Sequence, residues 1–163
     1  MNKRNILLSI AALFALGLSL TSCLDDENPY TVGLGVTPPT PPTSFTATLN
    51  GASEKPTSTT STATGTFAGK LNETTRVLSY TVTYTGPFSS SLTGGHIHRI
   101  TPNSTTGTGP IEIPFANLTS PISGTTTLAN QARVDSLKNG FYYVNLHTTV
   151  YPAGEIRGDI KRQ

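Results

Sequence analysis

The sequence predicts an all-β protein, a β-sandwich or small Greek-key barrel of about seven to eight antiparallel strands with one short helix. Threonine is abundant, and 15 glycines and 12 prolines favour strands and turns over helices. Charged residues make up only 12% of the chain, where about 25% is usual. A helical bundle is therefore not expected, and neither is a coiled coil, which needs many Glu, Lys, Arg and Leu residues.

Alternation of apolar and polar residues locates the strands. It is clearest from Leu78 to Tyr84, where apolar side chains occupy every second position and Ser or Thr lies between them. Turn residues such as Asn50-Gly51 and Gly86-Pro87 separate the alternating segments. The expected strands span residues 45–49, 63–70, 77–84, 95–100, 110–115, 124–128, 141–148 and 155–161.

One short helix is expected over residues 130–138. This segment contains no Gly or Pro and places Val134 and Leu137 three residues apart, on one helical face. Asn139-Gly140 follows it as a helix stop, because glycine readily adopts the left-handed conformation there. Strands 141–148 and 155–161 are expected to form a hairpin across the loop that holds Pro152-Ala153-Gly154.

The first 22 residues have the pattern of a secretory signal peptide. Lys3 and Arg4 precede an apolar run that ends near Leu20. This run is shorter than the roughly 20 apolar residues that a permanent transmembrane helix needs. We therefore expect residues 1–22 to be removed.

A single cysteine follows this segment at once. Leu20-Thr21-Ser22-Cys23 resembles the bacterial lipobox, in which the cysteine sulfur receives a diacylglycerol before cleavage. Cys23 is the chain's only cysteine, and lipidation would account for an otherwise unpaired thiol in an exported protein. The membrane partner is thus expected to be lipid attached at Cys23, which implies a bacterial envelope lipoprotein of the outer membrane.

Residues 23–44 are expected to form an acylated tether. The acidic stretch from Asp25 to Glu27 resembles the surface-export signal of Bacteroidetes-type lipoproteins, and it reads equally well as a solvated linker. Five prolines lie between Asn28 and Ser44 and disfavour both helix and sheet. Removing Lys3 and Arg4 from the 11 basic residues leaves 9, which equals the 9 acidic residues. Nucleic-acid binding is therefore not expected, because no basic excess remains.

Three motifs in residues 45–163 resemble the CHRD (chordin) domain. They are the opening at Phe45 to Pro56, the central Gly94-Gly95-His96-Ile97-His98, and the closing segment from Phe141 to Gly158. The resemblance implies an immunoglobulin-like or sandwich β fold. It implies an exported module of undefined role in bacteria, and the growth-factor antagonism of animal chordin is not expected to transfer.

All three histidines lie in these motifs. His96 and His98 are two residues apart on one strand and so share a face. If the strand of His147 is their neighbour, three imidazoles converge, and such a set suits Zn²⁺ or Cu²⁺. The other interpretation is that the histidines only bond carboxylates and backbone groups.

Glu155 and Arg157 alternate with Ile156 and are expected to share a face. A structural ion pair that fixes strand register is the interpretation favoured for them, with Asp159 and Glu112 as other partners open to Arg157. No set of nucleophile, base and acid is evident, so no catalytic residue is expected.

Two functions therefore stay open from the sequence. The first is a lipid-anchored, surface-exposed module that binds an unidentified protein or glycan or serves a structural role, without cofactor or enzymatic activity. The alternative is a Zn- or Cu-binding protein or redox enzyme that uses His96, His98 and His147.

Overall fold

The computed structural model of the chain describes residues 39–163. The expected signal peptide, Cys23 and residues 23–38 of the tether lie outside the described residues. Thr43 and Ser44, which we assigned to the tether, are the first two residues of the first strand. Among the described residues, no helix has the length and apolar character needed to cross a membrane.

The described chain is mostly β, as the sequence predicts. In chain order its strands are β1 (Thr43–Asn50), β2 (Thr64–Asn72), β3 (Val77–Thr85), β4 (Leu92–Arg99), β5 (Ile111–Pro114), β6 (Ile122–Thr127), β7 (Tyr142–Thr148), β8 (Ile156–Asp159) and β9 (Lys161–Arg162). A short 3₁₀ turn, Gly51–Ser53, follows β1, and the one α-helix, α1, spans Gln131–Lys138.

All strand pairs are antiparallel, in the order β5-β4-β7-β8-β1-β2-β3-β6, with β9 paired to β1. The two halves, β5-β4-β7-β8 and β1-β2-β3-β6, join where Asn50 of β1 pairs with Arg157 of β8. At the other side, the ring of Phe115 lies 5.6 Å from that of Tyr80. The sheet therefore curls around one core, which makes the sandwich nearly a barrel.

The apolar residues that occupy every second position of each strand line this core. Leu49, Phe67, Leu78, Val82, Ile97, Val144, Leu146 and Ile156 are fully or almost fully buried there. Each such side chain stabilises the fold by about 1.5–3 kcal/mol relative to its exposed state. The alternate residues point away from the core, which places His96 and His98 on the outer face of β4.

The helix forms where the sequence predicts it. Asn130 caps it by accepting a hydrogen bond from the backbone N–H of Arg133 at 3.1 Å. Val134 and Leu137 are buried against the core, and Gly140 ends the helix with a φ of 77°.

Most strand ends differ from the prediction by one or two residues, and two differences are larger. Strand β4 begins at Leu92 rather than at residue 95, because Leu92 and Gly94 already pair with β7. The last predicted strand is interrupted at Ile160, whose N–H donates to the carbonyl of Tyr142 while β9 turns to pair with β1.

Candidate metal centre

The outer face of β4, β7 and β8 carries polar side chains that are nevertheless buried. His98 on β4, Tyr143 and Asn145 on β7, and Arg157 on β8 are at most 9% exposed. The loops around Glu54, Gly107 and Gly109 contact them from outside the sheet. We call His96, His98, Tyr143, Asn145, His147, Arg157 and Glu54 the outer cluster. Burial makes each of its unpaired polar atoms costly.

The pairing of β4 with β7 brings the three histidines together. Gly94 is opposite His147 and His96 is opposite Asn145. One ring nitrogen from each histidine lies within 4.8 Å of those of the other two. We call His96, His98 and His147 the His triad. The convergence expected from the sequence is therefore present.

The triad rings are inclined rather than stacked on one another. The centroids of His96 and His147 are 5.1 Å apart with planes at 58°, and those of His96 and His98 are 5.5 Å apart at 90°. Two nitrogens bound to one tetrahedral zinc ion at about 2.1 Å are about 3.4 Å apart. The triad nitrogens are separated by up to 4.8 Å, so the side chains must rotate toward one another for all three to bind one ion.

Backbone carbonyls fix the orientation of two of the rings. The Nδ1 of His98 donates to the carbonyl of Gly109 at 3.0 Å, and the Nδ1 of His147 donates to that of Pro152 at 3.1 Å. A carbonyl only accepts, so each Nδ1 carries the hydrogen and the Nε2 of each neutral ring keeps its lone pair. Metal-binding histidines are oriented by the same kind of contact.

The environment keeps these imidazoles neutral. Burial lowers the pKa of His98 to about 4, although its bond to Gly109 opposes the shift. Burial also lowers the pKa of His147, and burial together with nearby His147 lowers that of His96. Neutral imidazole is the form that binds a metal ion.

A layered stack supports His98. Its ring lies parallel to that of Tyr143, with centroids 4.7 Å apart. The guanidinium carbon of Arg157 lies 3.5 Å from the centroid of the same tyrosine ring. Because β7 runs between β4 and β8, the two groups cover opposite faces of Tyr143. The stack fixes the ring plane of His98.

Arg157 also holds a loop over the cluster. It donates to the carbonyl of Gly107 at 2.8 Å and to Asp159 at 2.7 Å. Asp159 is therefore its charged partner, one of the three that the sequence left open. Gly109, in the same loop, bonds His98, so Arg157 indirectly positions a triad ring.

The expected ion pair between Glu155 and Arg157 does not form among the described residues, and that prediction was wrong. Glu155 precedes β8, so strand alternation does not govern its direction. Its carboxylate accepts hydrogen bonds from Ser61, Ser89 and Thr148. Burial alone would raise its pKa, but these bonds outweigh burial and hold the pKa below its usual value.

Glu54 is the member of the outer cluster, buried and with a shifted pKa, that sequence reasoning missed. It is 5% exposed, and Asn145 donates to its Oε2 at 3.2 Å. Burial raises its pKa to about 7 even though Arg157 opposes the shift. No local pattern marks a carboxylate in a loop that folds over a distant strand. The only signal was its place in the opening motif.

Unpartnered atoms concentrate in the outer cluster. Nine buried side-chain nitrogen or oxygen atoms of the described residues have no hydrogen-bond partner, and six belong to this cluster. They are His96 Nδ1, His98 Nε2, His147 Nε2, Glu54 Oε1, Asn145 Oδ1 and Arg157 Nη1. Such atoms are rare in folded proteins because each costs about 1–3 kcal/mol. Water or a ligand would have to supply the missing partners of these atoms.

A groove of about 740 Å³ lies on a different face, across β1, β2, β3 and β6. Hydroxyl side chains such as Thr46 and Ser79 line it, together with Lys70. It contains no cluster of titratable or metal-ligating groups comparable with the outer cluster.

Residues 45–160 match the CHRD domain family. The chain belongs to the CHRD family. The match covers every histidine of the triad and every member of the outer cluster, so the candidate metal centre lies wholly inside the CHRD domain. Comparisons with curated proteins and with solved structures found no match.

Replacing Glu54 by Gln should change how the domain's stability depends on pH. The folded chain holds a proton on Glu54 up to about pH 7, whereas an ordinary carboxyl loses it near 4.5. Proton binding by Glu54 therefore contributes its full share to the free energy of unfolding below pH 4.5. This contribution falls as the pH rises and is lost once the pH has passed about 7. Relative to the natural chain, Glu54→Gln should therefore gain up to roughly 3 kcal/mol over this range, at about 1.4 kcal/mol per pKa unit.

Urea unfolding of both chains at a series of pH values measures this difference. The histidines titrate in the opposite sense, so only the difference between the two chains isolates Glu54. Glu73→Gln is a control of opposite sign: hydrogen bonds from Lys138 and Thr43 lower the pKa of Glu73, so this variant should lose stability relative to the natural chain as the pH rises. Parallel stability curves for Glu54→Gln and the natural chain would contradict the account of Glu54.

Proposed function

We propose that this CHRD domain is a metal-binding module, and that the protein is anchored in the bacterial envelope by lipid on Cys23. The observation that carries the metal assignment is the His triad, with three ring nitrogens within 4.8 Å of one another. In each triad ring a buried nitrogen lacks a hydrogen-bond partner. A bound cation would satisfy all three rings at once.

The ligand types favour zinc or copper. Imidazole nitrogen suits Zn, Cu, Fe and Ni, whereas Mg²⁺ and Ca²⁺ need carboxylate or carbonyl oxygens. Within residues 39–163 the group of close metal-ligating side chains consists of histidines alone. Two of its rings already have the carbonyl contacts that orient metal ligands.

A purely structural role for the histidines accounts for less of the geometry. The contacts of His98 with Gly109 and of His147 with Pro152 would serve such a role. However, one buried nitrogen in each ring would then stay unpaired, which costs free energy. The metal-binding role and the purely structural role predict different responses to added metal.

Sequence features support the envelope anchor. The lipobox ends at Cys23, and the proline-rich tether leads directly to β1.

Metal addition should stabilise the natural chain and should fail to stabilise chains that lack one triad ring. At a free Zn²⁺ or Cu²⁺ concentration 100 times the dissociation constant, the expected gain is about 2.7 kcal/mol. His98→Ala and His147→Ala should lose this gain while staying folded, because both side chains lie outside the core. Thermal unfolding with and without metal measures the effect, together with elemental analysis of the purified protein.

Thr48→Ala is the control, since Thr48 is exposed on β1 and remote from the triad. It should respond to metal as the natural chain does. A metal-free natural chain whose melting temperature does not change in either ion would end the metal proposal.

Cys23→Ala should block attachment of the anchor, because the thiol is the group that accepts the lipid. Growth with a labelled fatty acid, followed by detergent partitioning, measures this. The natural chain should carry label and enter the detergent phase. Continued labelling of the variant would show that the anchor is not on Cys23.

A further inference from the structure

We propose that the metal ion in the His triad keeps one coordination position open beside Gly94, and that this position takes a small exchangeable anion. This inference rests on the metal-binding function proposed above. It adds a class of ligand, small inorganic anions, and a place for that ligand to bind.

The first argument is the number of ligands. Zinc in proteins is usually four-coordinate, and sites with three protein ligands keep the fourth position for water or substrate. The triad offers three ring nitrogens, and no further His, Cys, Asp or Glu side chain of residues 39–163 joins the group. We therefore assign the remaining ligand of a bound ion to solution.

The second argument is the space at Gly94. This residue is on the same face of β4 as His96 and His98, directly opposite His147. A Cβ atom at Gly94 would lie 3.2 Å from the Cε1 of His96 and 3.9 Å from the Cδ2 of His147. Any larger residue would therefore occupy space next to two of the three rings.

Solvent reaches the triad from the side on which Gly94 lies. His96, His147 and Gly94 are partly exposed, whereas His98 is buried beneath the Gly109 loop. The open position consequently faces outward between His96 and His147, where a solute can reach it.

Charge selects the class of ligand. Three neutral imidazoles leave the full charge of a divalent ion uncompensated. Arg157 adds a buried positive charge, and the carboxylate of Asp159 is shared between Arg157 and Lys55. Burial raises the pKa of Glu54 to about 7, so in mildly acidic solution it supplies little negative charge. An anion on the ion would therefore be favoured over a neutral ligand.

Azide is a suitable probe because it is small, anionic and gives a charge-transfer absorption when it binds Cu²⁺. The purified full chain is first loaded with one equivalent of Cu²⁺, which by itself tests the proposed function. Azide is then titrated at about pH 6. We expect a new absorption band that saturates at one azide per copper.

Gly94→Ala tests the location. Its methyl group should weaken azide binding by at least about tenfold while copper affinity changes much less. Thr93→Ala, on the exposed neighbouring residue, should leave both affinities unchanged. His98→Ala mixed with copper and azide gives the background from loosely bound copper.

The experiment distinguishes three ways in which the proposals could fail. Copper bound one to one with a spectrum unaffected by azide would overturn the open position and leave the metal-binding function standing. Equal losses of copper and azide affinity in Gly94→Ala would overturn the assignment of Gly94 as the border of that position. Failure of the natural chain to bind Cu²⁺ at all would overturn both proposals.

Discussion

The register between β4 and β7 is the constraint on which the candidate site depends. It places Gly94 opposite His147 and His96 opposite Asn145. Because side chains alternate along a strand, a slip of β4 by one residue would turn His96 and His98 into the core, away from His147 on β7, and Ile97 outward. The buried Ile97, Val144 and Leu146 therefore fix the register through their burial, and the register in turn assembles the triad.

Loops cover the outer face of the sheet and bury the polar side chains on it. Glu54 arrives from the segment after β1, Gly107 and Gly109 from the loop before β5, and Pro152 from the loop before β8. Their contacts remove water from the histidines, which lowers the pKa of each ring. A neutral, oriented and unpartnered set of imidazoles results. The same burial raises the pKa of Glu54, so a single cause explains both shifts.

The sequence predicted the strands that carry the histidines better than it predicted the residues that loops bring to the site. Alternation located the strands of His96, His98 and His147, because a half-buried strand leaves a period of two in its residues. It failed for Glu155, which lies outside β8 and turns toward Ser61 and Thr148 instead of Arg157. It could not reveal Glu54 either, because the path of a loop depends on tertiary contacts far along the chain. Local patterns thus fixed the faces of the strands, whereas the partners supplied by loops needed the folded chain.

X-ray absorption at the metal edge of the zinc- or copper-loaded chain tests the central claim most directly. The account predicts three imidazole ligands at about 2.0–2.1 Å, the usual metal–nitrogen distance, and one further light atom from solution. A coordination sphere made mainly of oxygen atoms, or one with fewer than three imidazoles, would contradict it.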